Sequence, residues 1–271
     1  MAKIAFTLDY DSNIYEIDLS VHTPQVIFDT ITYPVVVAWL GNGSFAYIDS
    51  NGNKSILRED PPYEWYPTGP DKVIYTHPTW IRDIKIRYKA VRYNFFLSAY
   101  HTDTSVRIFY LDEMDNPVPY CTIEGSQLKV IDPCHPEGET YFGTWGGNFT
   151  FDDKDNMYIS SGNNVSSGLF KIGGAGTEEV TGEIERIVTS PNEPITSIEF
   201  IGNNQLLYVQ GKQRIYKLDL QTLTSTLVYD ATQFSSHALG SLSLMKEDAK
   251  FDLHKKKKFD MFKKKSVFDV G

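Results

Sequence analysis

Residues 14–30 read IYEIDLSVHTPQVIFDT, and residues 215–231 read IYKLDLQTLTSTLVYDA. The two stretches align without a gap although they lie near opposite ends of the chain. Ile, Tyr, Asp, Leu and Thr recur in place, and Val26-Ile27-Phe28-Asp29 answers Leu227-Val228-Tyr229-Asp230. A third copy starts at Arg107, where RIFYLDE matches RIYKLDL at 214–220, and Gly168-Leu169-Phe170-Lys171-Ile172 and Lys54-Ser55-Ile56-Leu57 are degenerate copies. Self-similarity of this kind marks a repeat architecture, in which each unit buries its apolar face only against its neighbours.

Working outward, each copy follows an apolar run, at residues 5–8, 45–48, 95–100, 157–159 and 206–209, and most are preceded by a further run, at 35–40, 81–88, 147–151 and 195–200. Alternation within Ile14-Tyr15-Glu16-Ile17-Asp18 suits half-buried strands. Asp11-Ser12-Asn13, Asn51-Gly52-Asn53, Asp155-Asn156 and Gly202-Asn203-Asn204 supply turn chemistry between runs. The unit is therefore four strands in about 40–60 residues, the size of a β-propeller blade. Counting in this way predicts an all-β propeller of five blades over residues 1–249, or six if residues 59–80 or 126–146 hide a degenerate blade. The first unit lacks its innermost strand. Ala238-Leu239-Gly240-Ser241-Leu242-Ser243-Leu244 resembles Pro194-Ile195-Thr196-Ser197-Ile198-Glu199-Phe200, so the later stretch is expected to enter the first blade and close the ring.

The pairing of Asn156-Met157-Tyr158-Ile159 with Leu169-Phe170-Lys171-Ile172 resembles the repeats of NHL-type and gluconolactonase-like propellers, and the likeness extends over residues 3–248. The resemblance implies the architecture. The glutamate-bearing Gly-Glu-Gly-Pro signature of the gluconolactonases is absent, so it does not imply their metal-dependent lactonase chemistry.

Composition bounds the function. The 271 residues are 41% hydrophobic, 23% charged and 14% aromatic, which excludes a disordered or fibrous chain. There is no apolar run of about 18 residues, so no membrane span is expected. Met1-Ala2-Lys3-Ile4 runs directly into strand-like sequence instead of a signal peptide, so a cytoplasmic chain with Cys121 and Cys134 reduced is expected. The net charge of −9 is uneven. Residues 250–271 hold eight lysines and three aspartates, a charge of +5, leaving 18 basic and 32 acidic side chains, −14, for the other 249 residues. An acidic body is unsuited to nucleic-acid phosphates.

In a propeller the loops leading into the inner strands share one face with the loops between second and third strands, and ligands are expected there. The stretch from Glu59 to Trp80 and the stretch from Gln127 to Trp145 read as two long loops of that face, carrying Tyr63, Trp65, Trp80 and the adjoining Arg82, and Tyr141 and Trp145, as ligand-binding candidates for a small molecule or glycan. His77, His101, Asp103, His135 and His237 are candidates for an acid–base set on the same face. Asp9, Asp49 and Asn163 are candidate oxygen ligands for a hard cation such as calcium. Gly-x-Ser-x-Gly, His-Glu-x-x-His and a phosphate loop are all missing, which sets binding ahead of catalysis.

The tail repeats itself: KFDLHKKK at 250–257, KFDMFKKK at 258–265, then SVFDVG. Phe251-Asp252, Phe259-Asp260 and Phe268-Asp269 head three equivalent triplets separated by lysines, an arrangement that predicts avid recruitment of a protein or peptide partner. Three functional expectations follow. The first is a binding or scaffold propeller with a ligand face and a recruiting tail. The second is a metal-assisted hydrolase, lyase or cyclase at the channel mouth. The third is a propeller that delivers its tail peptide to a modifying or processing enzyme.

Overall fold

The computed structural model describes residues 2–29, 33–41, 43–49, 55–59, 72–88, 93–102, 105–111, 116–124, 129–131, 140–141, 148–154, 156–161, 168–172, 184–189 and 193–246. Blade 1 contains β1 (Lys3–Leu8), β2 (Asn13–Asp18) and β3 (Gln25–Asp29). Blade 2 is β4 (Pro34–Gly41), β5 (Ser44–Asp49), β6 (Ser55–Glu59) and β7 (Lys72–Thr76), and blade 3 is β8 (Ile81–Tyr88), β9 (Tyr93–Thr102), β10 (Ser105–Leu111) and β11 (Pro117–Glu124). A short hairpin, β12 (Lys129–Ile131) and β13 (Thr140–Tyr141), precedes blade 4, which is β14 (Phe149–Phe151), β15 (Met157–Ser161), β16 (Gly168–Ile172) and β17 (Ile184–Thr189). Blade 5 is β18 (Ile195–Gly202), β19 (Gln205–Gln210), β20 (Arg214–Asp219) and β21 (Thr224–Asp230). A 3-10 turn at Ala231–Gln233 then leads to β22 (Leu239–Met245).

β22 pairs with β1, setting Leu244 against Ile4 and Leu242 against Phe6, and so supplies the inner strand that blade 1 lacks. The inner strands β4, β8, β14, β18 and β22 neighbour one another in turn around an axis, with β22 returning to β4. The molecule is thus a five-bladed β-propeller closed as the sequence predicts. The six-blade alternative is corrected: β7 is the outer strand of blade 2, and β12 pairs in parallel with β17 as an extension of blade 4. The hairpin covers an outer edge that would otherwise be unpaired.

The repeat read in the sequence is the outer hairpin of each blade. In all five, the third and fourth strands pair through the same β-bulge, just after Ile14, Ile56, Ile108, Leu169 and Ile215. The additional residue on the outer strand is Ile27, Ile74, Tyr120, Ile187 or Val228. A bulge bends and twists its strand. Here it lets each additional residue pack against a different one of five apolar clusters. Each cluster lies between two consecutive blades; Phe96, Ile108 and Cys121 of blade 3 meet Phe149, Met157 and Phe170 of blade 4, for example. Cys121 is a free, buried thiol whose pKa is pushed up to about 12 by that burial.

The inner strands have one edge free of sheet partners, and side chains of the preceding blade cap it. Phe149 N–H donates to Asp83 Oδ2 at 3.1 Å, Phe200 N–H to Thr150 Oγ1 at 3.2 Å, Leu242 N–H to Ser197 Oγ at 2.9 Å, Leu244 N–H to Glu199 Oε1 at 3.0 Å, and Trp39 N–H to Ser243 Oγ at 2.8 Å. Among the described residues, four of the five blade junctions are joined in this way. At the junction of blades 2 and 3 the equivalent positions on β4 are Val36 and Ala38, which have no acceptor, and Asp83 Oδ1 instead takes the N–H of its own neighbour Ile84 at 2.9 Å. Among the described residues no helix is long and apolar enough to cross a membrane.

Candidate binding face

The ring has two faces. The top carries the connections into each inner strand and the turns between second and third strands; the bottom carries the remaining turns. Between them the axis is crossed by charge. Lys85, on β8 of blade 3, donates from Nζ to Glu199 Oε2 of blade 5 at 2.8 Å and to the Leu242 carbonyl of blade 1 at 3.1 Å, with Asp83 Oδ2 at 3.9 Å. Asp83 and Lys85 are buried. Burial pushes the Asp83 carboxyl up to about 6 against the pull of Lys85 and its accepted N–H bonds, while the two carboxylates raise Lys85 above the usual lysine value despite its burial. With the Leu242 carbonyl, the Asp83–Lys85–Glu199 triad ties blades 3, 5 and 1 together across the centre. Sequence reading missed it, although Asp83 and Lys85 alternate with Ile84 and Ile86 in β8 and Glu199 occupies the position equivalent to Lys85.

The top face carries exposed aromatic rings. Tyr10, in the turn between β1 and β2, is 82% exposed; Tyr33 and Trp80, which lead into β4 and β8, are 50% and 53% exposed; Phe234, between β21 and β22, is 42% exposed. Among the described residues the other large exposed apolar side chains are aliphatic and lie elsewhere: Val26, Val73 and Leu227 on outer strands, Val21 and Leu223 in bottom turns.

The best-defined part of the top face is the seam between blades 5 and 1. Asp9 N–H donates to the Ala238 carbonyl at 2.8 Å, and Leu239 N–H to the Lys212 carbonyl at 2.7 Å. Asp9, Lys212 and His237 meet there: burial raises the Asp9 carboxyl while Lys212 and His237 pull it down. Asp11 accepts from Asn13 N–H at 2.8 Å, Asn13 Nδ2 at 2.7 Å and Tyr15 Oη at 2.8 Å, and Ser12 Oγ donates to Asp29 at 3.0 Å. Burial and the bond to Asp11 push the Tyr15 phenol up to about 12. Phe234 stands edge-on to Tyr15 with ring centroids 5.4 Å apart. Tyr10 and Lys212 have φ of 60° and 69°. Left-handed backbone costs a non-glycine residue roughly 1 kcal/mol or more. Both side chains are held outward on the turns that carry them.

The other expected residues fall as follows. Trp80 is on the top face, and Arg82 is half-buried at the bulge of β8. His77 is buried, not presented: its Nδ1 accepts from Thr79 N–H at 3.2 Å, its ring lies 5.1 Å from Phe109, and burial lowers its pKa. It orders the connection into blade 3. The backbones of Asp49 and His101 lie towards the top ends of β5 and β9. Tyr141 is in β13. Tyr63, Trp65, Asp103, His135, Trp145 and Asn163 lie outside the described residues, as do Cys134 and the whole tail.

The reading of Glu59 to Trp80 as one top-face loop is corrected by β7. β6 and β7 pair as the third and fourth strands of blade 2, so β6 ends and β7 begins at the bottom, and the connection on top is only 77–80. The stretch 127–145 likewise includes β12 and β13. Among the described residues no group of three or more His, Cys, Asp or Glu is arranged to hold a metal ion.

A scan against protein-family models gave no match, and no curated protein matched in sequence. Solved structures with a similar course of chain include a protein of unknown function from Bacteroides caccae, at 10% identity over 83% of this chain and 71% of that one, with a TM-score of 0.44. A candidate 6-phosphogluconolactonase from Bacteroides fragilis is 10% identical over 83% of this chain and 66% of its own, TM-score 0.42. A protein from Lactobacillus plantarum is 11% identical over 84% and 66%, TM-score 0.38. The chain spans about two thirds of the length of these proteins. Likenesses of this size assign it no activity, and the propeller rests on its own strand pairing.

Proposed function

We propose that this protein is a binding propeller that recognises a ligand or partner at its top face. The observation that carries the reading is the segregation of exposed apolar residues among the described residues: Tyr10, Tyr33, Trp80 and Phe234 stand on the top, while the aliphatic ones lie on outer strands and bottom turns. Exposed aromatic side chains offer large contact area at low entropic cost and are enriched where proteins bind. Asp9, Lys212 and His237 beside Tyr10 and Phe234 supply polar groups to orient what binds. The Asp83–Lys85–Glu199 triad, with Asp83 and Lys85 buried, gives the face a rigid base.

The test is a fluorescence titration of the full chain with soluble glycans and peptides, compared with two variants. Tyr10→Asn with Phe234→Ser alters the top, and Val21→Ser with Leu223→Asn alters the bottom. Asn tolerates the left-handed backbone at Tyr10 and at Leu223. A saturable change weakened about tenfold or more in the top-face variant and retained in the bottom-face variant is expected. Equal losses in both, or no saturable change with any probe, would contradict the reading.

A further inference from the structure

Resting on that reading, we propose that the top face of one copy docks the basic Phe-Asp repeats, residues 250–271, of a second copy of this chain. Charge and ring chemistry match on the two sides. The seam carries Asp9, Asp11 and Asp29 on the strand ends and turn that hold the exposed Tyr10, with Lys212 and His237 acting on Asp9, and it presents the half-exposed Phe234 ring beside Tyr15. The repeats present lysine blocks and Phe251, Phe259 and Phe268 from a segment of charge +5, against a body of −14. Lysine ammonium groups are attracted both to carboxylates and to aromatic faces, and phenylalanines to exposed rings.

Chain length selects the second copy. β22 runs from top to bottom, and Lys246, whose carbonyl accepts Trp39 Nε1–H at 3.0 Å, marks where the tail departs from the bottom of the ring. To return to its own top face the chain has to cross a four-stranded blade at about 4.8 Å per strand, climb a strand of about 20 Å and turn inward, a path of roughly 50 Å. At about 3.4 Å per extended residue this takes some 15 residues. Phe251 and Phe259 lie within 13 residues of Lys246 and fall short; only Phe268 clears it. On a neighbouring molecule all three repeats are in reach, which gives three equivalent motifs a use. A contact from the bottom of one copy to the top of the next is head-to-tail and does not close on itself at two.

Sedimentation velocity of the full chain at rising concentration tests this. The expected result is self-association that disperses in about 0.5 M NaCl. It is weakened about tenfold or more both by Phe251→Ala, Phe259→Ala and Phe268→Ala together and by Tyr10→Asn with Phe234→Ser. The tail variant keeps every lysine, so association that survives it is unspecific charge attraction and overturns the proposal. So does a monomer at all concentrations, or hydrogen exchange at residues 9–12 and 231–238 that does not slow as association proceeds. A monomer whose top-face variant still loses a glycan or peptide in the titration overturns the tail docking alone and leaves the binding face standing.

Discussion

Lys85 is the residue on which the centre of the ring depends. A buried lysine with two carboxylate partners is costly to desolvate but more costly to remove, because its loss leaves two negative groups facing each other in the interior. Lys85→Met is therefore expected to destabilise the fold by about 3–5 kcal/mol in urea denaturation, whereas a change below about 1 kcal/mol would mean the triad is solvated. Asp83 behaves differently. Its folded pKa, about 6, lies above its ordinary 3.8, so the folded state holds the proton more tightly than the unfolded one. Its contribution is fully present below the ordinary carboxylate range and lost as pH rises through about 6. Asp83→Asn, which keeps an oxygen for one of the two N–H donors, should thus gain stability relative to the parent between pH 4 and 7. A pH series of urea midpoints checks the sign, and a parallel pair of curves would contradict it. The exposed Asp18, Asp219 and Asp230 run the other way: hydrogen bonds from neighbouring Ser20, Gln221, Thr222 and Thr232 lower their pKa values, so what they contribute fades as pH falls through the carboxylate range.

At the scale of the strand, what repeats is the bulged outer hairpin and the capped inner edge. A capped N–H that loses its acceptor in the interior costs about 1–3 kcal/mol. Ser197→Ala, which orphans the Leu242 N–H, should fall in that range by chemical denaturation, while Ser12→Ala, at an exposed turn, should change stability by less than about 0.5 kcal/mol. The two kinds of repeat were unequally legible. The outer hairpin is visible because its residues recur in type: Ile14, Ile108 and Ile215 head matching runs, and the bulge keeps the same register in each. The inner edge repeats in role and not in residue. Asp83, Thr150, Ser197, Glu199 and Ser243 all accept an N–H from the next blade, yet no two neighbouring blades use the same side chain at the same level, so a comparison by residue identity passes over them. β7 was misread for a related reason. Lys72–Thr76 is short and follows a long stretch rich in proline and aromatic residues, and nothing in its own sequence assigns it to the blade before it instead of a loop before the next. The burial of His77 is not legible locally: Thr79 lies two residues away, but the Phe109 ring that covers His77 comes from another strand and meets it only in the folded blade.

For the whole molecule, closure is what makes a shared face. The strand that completes blade 1 comes from the other end of the folded body, so the top-face seam of Asp9, Tyr10, Lys212 and His237 exists only while β22 stays paired with β1. The ends of the fold were legible from the likeness of residues 238–244 to 194–200. The aromatic top was only partly so: Trp80 was marked in advance, but Tyr10, Tyr33 and Phe234 sit in short connections whose common side emerges only from the strand order. The account turns on β22 as the strand that closes the ring, and amide hydrogen exchange reads this directly. The N–H groups of Leu242 and Leu244, held by Ser197 and Glu199 across a blade junction, are predicted to exchange only with global unfolding, as slowly as those of Leu207 and Val209 in the middle of blade 5. Exchange of β22 within minutes, while blade 5 stays protected, would show that the ring is open and that the seam is not a fixed site.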